Sequence, residues 1–386
     1  MIVFLIIGFF AVNVLWKWYY QNHWAQNITV ELWFETDSVY AGQDTKLYEV
    51  IENRKKMPVP VLEVGFHTQR ELDFAQMDNT NVSDYIYKRD IFSVLGNQKI
   101  TREIPVKCTK RGKYTVSDAD IATHTLLYEK RYSKAIGTCA GIYVYPKMTD
   151  VSEIMTVCER LSGTLQCSKR LYEDPFEFRT IRAYTTDDPM KAVNWKASAK
   201  TGSLMVNTFD SVQSQKAMLF LDVEDTGILK YEDLVEESIA IAATLLRKLL
   251  RKNMEAGFAW NGFICSETNN PQTGSVQLPS NKRSMLAGVE RMLAEYKKEN
   301  EVQDFSEFIE RLFLDVFSKN PLTDDTLLII ITKNLNVQLM EQIKKCVGDY
   351  QTLVVVPALR GDKAGFAFAA KHTDTLHVLV KEVERS

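Results

Sequence analysis

The stretch Ala217-Met218-Leu219-Phe220-Leu221-Asp222 is an unbroken apolar run that ends in an acid. It has no polar alternate positions to turn toward water, so it predicts a strand covered on both faces, as in a parallel sheet flanked by helices. The residues downstream point the same way. Over 232–253, Val235, Ile239, Ala242, Leu246 and Leu249 recur at steps of four and three, the stripe of an amphipathic helix. A strand is expected near 257–263, helices near 284–298 and 304–318, a second fully buried strand at 326–332, a helix at 337–346, and strands at 353–357 and 376–380. Strands alternating with helices imply a doubly wound parallel α/β domain, here assigned to 213–386. Ligands of such sheets bind outside the carboxyl ends of the strands, which singles out Asp222 and the loop after it.

Upstream the period changes. Between 27 and 147, segments such as Ile28-Thr29-Val30-Glu31-Leu32-Trp33-Phe34 and Thr45-Lys46-Leu47-Tyr48-Glu49-Val50 alternate apolar and polar residues, separated by turn signals such as Lys110-Arg111-Gly112-Lys113. This predicts an antiparallel β-sandwich of immunoglobulin-like size. Residues 148–212 read as a connecting segment. The fold class expected from the whole chain is therefore α+β and multidomain, beginning with a transmembrane helix.

That helix is inferred from the run between Ile2 and Trp16, which holds one polar side chain, Asn13, and no charge. A helix over residues 2–20 would be roughly 28 Å long, enough to cross the hydrocarbon core of a lipid bilayer. Trp16, Lys17, Trp18, Tyr19 and Tyr20 follow like an interfacial belt. No charge precedes the run and bulky aromatics follow it, which disfavours a cleaved signal peptide. The expectation is an anchor over 1–24 and a single-pass location in the cell membrane, and Lys17 on the C-terminal side favours a cytoplasmic main body.

With 47 basic and 50 acidic residues the formal charge is −3, no basis for a nucleic-acid binder. Six cysteines at 108, 139, 158, 167, 265 and 346 form neither a Cys-x-x-Cys pair nor a zinc spacing. Phosphate-loop, dinucleotide, nucleophile-elbow and His-Glu-x-x-His patterns are absent, so the chain reads as non-enzymatic, with no catalytic residues assigned.

Two clusters carry possible chemistry. In Asp222-Val223-Glu224-Asp225-Thr226, the oxygens of Asp222, Glu224 and Thr226 sit on alternate residues of one loop and are the kind that holds a hard divalent ion such as Mg²⁺. The same residues also read as a polar loop capping the next helix, and Lys333, in Thr332-Lys333-Asn334 after a later strand, would oppose a bound cation. In the second cluster, Asp187-Asp188-Pro189 is a turn leading into a short helix over 190–199, among Arg179, Arg182, Lys191, Lys196 and Lys200 with Tyr184 and Trp195. Arg182 can fork onto Asp187 or Asp188. One reading is an internal ion-pair network with Trp195 in the core; the other is a basic, aromatic docking surface for an acidic partner.

The stretch from Arg182 through Tyr184, Asp187, Asp188, Asn194, Trp195 and Lys196 to Ala199 resembles the hallmark of the domain of unknown function 58 family. The Asp222 loop is similar to the metal-ion-dependent adhesion site of von Willebrand factor A domains. The resemblance departs in having Asp187 where the family has glycine, and one hydrophobic helix where relatives have two. It implies a membrane-anchored adaptor whose A-like domain binds a MoxR-type AAA+ ATPase. The competing expectation is a surface-displayed, divalent-cation-dependent adhesion or ligand-binding protein.

Overall fold

Alternation of apolar and polar residues leaves strands with one face to bury, and the first strand shows it: Ile28, Val30, Leu32 and Phe34 are buried while Glu31 and Trp33 face out. A computed structural model describes residues 2–74, 80–82, 85–124, 130–168, 178–186, 188, 190–209, 215–225, 231–265, 271–272, 276–297, 302–361 and 375–383. The chain forms two units, one of Met1–Met148 with Glu290–Tyr296, the other of Thr149–Val289 with Lys297–Ser386.

In the first unit, helix α1 (Ile2–His23) precedes a β-sandwich. One sheet has the order β1 (Ile28–Phe34), β3 (Asp44–Asn53), β8 (Lys99–Cys108), β5 (Leu72–Phe74). The other runs β2 (Ser38–Tyr40), β11 (Ala140–Tyr145), β9 (Gly112–His124), β4 (Val59–Gln69), β7 (Tyr85–Val94), β6 (Thr80–Val82), with β10 (Arg131–Ile136) also on β9. Every pairing is antiparallel except β11 with β2. Leu47, Phe66, Phe74, Ile104, Val116 and Val144 pack in one core cluster of this unit. The segment Glu290–Tyr296 completes it: the Arg111 guanidinium donates to the carbonyls of Leu293 and Tyr296, and the Tyr143 hydroxyl donates to Glu295 at 3.1 Å.

The expected transmembrane anchor is corrected here. Among the described residues no helix is long and apolar enough to cross a membrane. The aromatic end of α1 is engaged by protein instead. Tyr20 and Trp24 are buried in a core cluster with Ile28, Val30, Ile51 and Leu62, and the Tyr20 hydroxyl bonds Thr123 Oγ1 at 3.0 Å. The Lys55 ammonium bonds the His23 carbonyl at 3.0 Å and that of Trp24, satisfying carbonyls that a helix end leaves open. Of the aromatics read as an interfacial belt, Tyr20 is thus a core residue, and Trp24, within the expected anchor span, is another. A bilayer partner through residues 2–20, a single-pass membrane location and the cytoplasmic placement derived from it lose their support.

In the second unit, α2 (Ser152–Ser168) leads to a hairpin of β12 (Phe178–Ala183) and β13 (Met205–Phe209) that encloses a 3₁₀ turn, Met190–Ala192, and α3 (Trp195–Thr201). The main sheet contains β14 (Lys216–Leu221), β15 (Glu255–Trp260), β18 (Gln277–Ser280), β19 (Thr326–Ile331), β20 (Thr352–Leu359) and β21 (Leu376–Val383), in the order β18-β15-β14-β19-β20-β21. All its pairings are parallel except that of β18 with β15. A small ladder, β16 (Ile264–Cys265) with β17 (Pro271–Gln272), stands apart. Helix α4 (Glu232–Arg251) packs on β14, β15 and β20; α5 is Arg283–Glu295. Met218, Phe220, Leu328, Ile330, Val354 and Val356 form one core with α6 (Phe305–Arg311) and α7 (Val337–Val347). The alternate positions in the inner strands, such as Leu219 and Ile329, are buried as well, which is why these strands carry no polar alternation.

Candidate functional site

Strands β14, β15 and β19 lie in register, so their carboxyl ends bring together residues distant in sequence. Asp222 follows β14, Asn261 follows β15, and Thr332, Lys333 and Asn334 follow β19. The Asp222 side chain is almost wholly buried, and both carboxylate oxygens are engaged. Oδ1 accepts from the Glu224 amide at 2.9 Å and from Asn261 Nδ2 at 2.9 Å. Oδ2 accepts from Thr332 Oγ1 at 2.7 Å and Asn334 Nδ2 at 3.1 Å. Burial pushes the Asp222 carboxyl above the ordinary carboxylate range, and these donors oppose the rise.

The surrounding bonds make a closed network. Asn261 Oδ1 accepts from the Val223 amide, and its Nδ2 also donates to the Gln303 carbonyl. Asn334 Nδ2 donates to the Glu224 carbonyl at 2.7 Å. Glu224 Oε2 accepts from the Phe305 amide at the start of α6. The Lys333 ammonium, 4% exposed, bonds Asp225. The carboxylates of Asp222 and Glu224 thus go to different donors, the first to Asn261, Thr332 and Asn334 and the second to the Phe305 amide, and Thr226 lies outside the described residues. Asn261 and Gln303 were not picked out from the sequence; a lone Asn just after a buried strand was the available signal. Among the described residues no group of three or more His, Cys, Asp and Glu side chains is placed to hold a metal ion. With both oxygens engaged by donors, Asp222 has no open position for acid or base work.

The hairpin gathers the second cluster. Arg182 grips Asp188 with both terminal nitrogens, at 2.7 and 2.6 Å, and the Thr185 amide and hydroxyl donate to the same carboxylate. The Arg182 guanidinium, aided by Thr185, holds the Asp188 carboxyl far below the ordinary range. Asp187 lies outside the described residues. The Tyr184 amide bonds the Leu204 carbonyl, tying the turn to the opposite strand. Asn194 caps α3 by accepting from the Ala197 amide at 3.0 Å, and its Nδ2 donates to Asn207 Oδ1 on β13 at 2.7 Å. Trp195, which one reading placed in the core, is 64% exposed, and Lys191, Lys196 and Lys200 are exposed around it. Met190 and Leu204 add exposed apolar surface.

No protein-family model and no curated protein matches the chain. Solved structures do. The CARDB domain of a Pyrococcus furiosus protein, in complex with di-metal ions, is 12% identical and covers 31% of this chain and 94% of its own, with a TM-score of 0.21. A non-cellulosomal cohesin from Archaeoglobus fulgidus is 11% identical over 33% of this chain and 97% of its own, at 0.20. A type II cohesin domain from the cellulosome of Acetivibrio cellulolyticus is 7% identical over 30% and 95%, at 0.23. The metal ions and cellulosome belong to those proteins. The comparisons overturn the resemblance to the domain of unknown function 58 and von Willebrand factor A families, since no model of any family matches. The MoxR-type ATPase partner rested on that resemblance alone and goes with it.

Proposed function

We propose that this is a non-enzymatic interaction protein whose docking surface is the β12–α3–β13 hairpin, and that its partner is an acidic protein segment. The observation that carries the reading is Trp195: a large aromatic side chain, 64% exposed, at the first position of a helix capped by Asn194. Large aromatics anchor many interfaces because they bury much apolar area at the cost of few side-chain torsions. Exposed Lys191, Lys196 and Lys200 supply charge complementary to acids. The Arg182–Asp188 fork fixes the turn that leads into the surface.

The test uses the full chain with a photoreactive group at Lys196, applied with and without Trp195→Ala. We expect Trp195→Ala to keep the thermal midpoint and to lose cross-linking to an acidic protein, with the wild-type cross-link weakened by salt. Unchanged cross-linking in the variant, or a collapse of its stability, would remove the hairpin from the interface.

A divalent cation at the Asp222 loop is the second reading, motivated by the two carboxylates, Asp222 and Glu224, that follow the carboxyl end of β14. A cation entering there meets the buried Lys333 ammonium, a like charge in a poorly screened place. Calorimetric titration with Mn²⁺ should therefore show tighter binding in Lys333→Ala than in the wild type, and none in Asp222→Ala. Equal, absent binding in all three proteins retires the cation.

A further inference from the structure

Away from both clusters, the second unit has a cleft of about 570 Å³ at the last turn of α4 and the first turn of α5. Its lining consists of Arg247, Arg251, Arg283, Asn253 and Asn281, with Leu250 and Leu286. No carboxylate is among these residues, and the exposed guanidinium groups of Arg251 and Arg283 both border the space. Neither Arg251 nor Arg283 has an ion-pair partner among the described residues, in contrast to Lys252 beside them, which is paired with Glu159. The first turn of α5 also carries no acidic side chain. Like charges brought together on a fixed scaffold repel, and a bound anion relieves that repulsion.

We propose that this cleft binds a small phosphomonoester: a doubly charged phosphoryl group held by Arg251 and Arg283, attached to an apolar body that lies against Leu250 and Leu286. Guanidinium forks match the oxygen spacing of a phosphoryl group and hold it bidentately. Asn253 and Asn281 add neutral amides able to donate to the remaining oxygens. The volume suits a small ligand, within the roughly 300–1,000 Å³ range of such sites. The leucines explain why the ligand is more than inorganic phosphate, which has no surface to place on them.

The test is calorimetric titration of the full chain at low ionic strength with phenyl phosphate, inorganic phosphate and benzoate. Phenyl phosphate should bind at least tenfold more tightly than benzoate, which has the ring but one charge, and more tightly than inorganic phosphate, which lacks the ring. Arg251→Ala with Arg283→Ala should weaken phenyl phosphate at least tenfold at an unchanged thermal midpoint, since both side chains are exposed. Arg251→Lys with Arg283→Lys should fall between, keeping charge and losing the fork. The proposal is overturned if phenyl phosphate gives no binding at 10 mM, if benzoate matches it, or if the double alanine variant binds within twofold of the wild type. Should that variant unfold, Leu286→Asp takes its place: it must abolish phenyl phosphate binding, and retention overturns the site.

Discussion

Glu49 on β3 is wholly buried, and neither of its carboxylate oxygens finds a hydrogen bond. Around it lie Lys88, Asp90 and Arg102, with Arg102 paired to Asp90 at 2.8 Å. Burial pushes the Glu49 carboxyl up to about 7, with Asp90 adding to the rise and Arg102 and Lys88 opposing it. A carboxyl raised in the folded state is an acid that folding prefers protonated. Its contribution is fully present below the unfolded value near 4.5 and is lost as pH rises through 7. Glu49→Gln should therefore remove a loss of stability between about pH 4.5 and 7, seen as a flatter thermal midpoint against pH than in the wild type. At Asp222 the expectation is a cost: Asp222→Ala leaves the donors of Asn261, Thr332 and Asn334 facing nothing, and should destabilise the chain by about 3 kcal/mol or more in denaturant unfolding. Asp222 was legible because an acid ended an apolar run. The identity of its partners was not, since Asn261 and Asn334 meet only through strand register.

The elements most legible in the sequence are those whose periodicity is undisturbed by local contacts. The expected strand beginning at Ala217 is β14, and the helix expected over 232–253 is α4. Leu246 on α4 is fully buried, so Leu246→Ala should cost about 2–5 kcal/mol in chemical unfolding. The single helix expected over 190–199 instead divides, because Val193 bridges to Val206 on β13 and Asn194 then starts a new helix as its cap. The helix expected over 304–318 changes pitch at Leu312, where a π turn runs to Val316 and the Phe317 amide reaches back to the Leu312 carbonyl. The wider turn sets Phe313 and Phe317 against Phe220, packing that no stripe of apolar residues reveals. Helix starts are more readable: Asn336 caps α7 by accepting from the Leu339 amide at 2.8 Å, and Asn336→Ala should cost about 1 kcal/mol.

At the scale of the whole molecule, composition separated an alternating N-terminal half from a C-terminal half of apolar runs, and the structure has an antiparallel sandwich followed by a mostly parallel sheet. The anchor expected over 1–24 misled at its aromatic end, because hydropathy does not tell which residues a protein core claims, and Tyr20 and Trp24 are claimed. Nor does any local signal tell that Glu290–Tyr296 belongs with residues some 140 positions earlier. Arg111, Tyr143 and Lys113 meet that segment through long-range contacts alone. The sandwich is consequently built from two pieces of chain, and they leave the ribosome at different times. At roughly 5–20 residues per second, some 140 residues take on the order of 7–28 s to translate. For that interval the nascent sandwich has its strands but lacks the Leu293 and Tyr296 carbonyls and the Glu295 carboxylate that Arg111 and Tyr143 bond in the folded chain, and the order of synthesis becomes part of how this protein reaches its folded state.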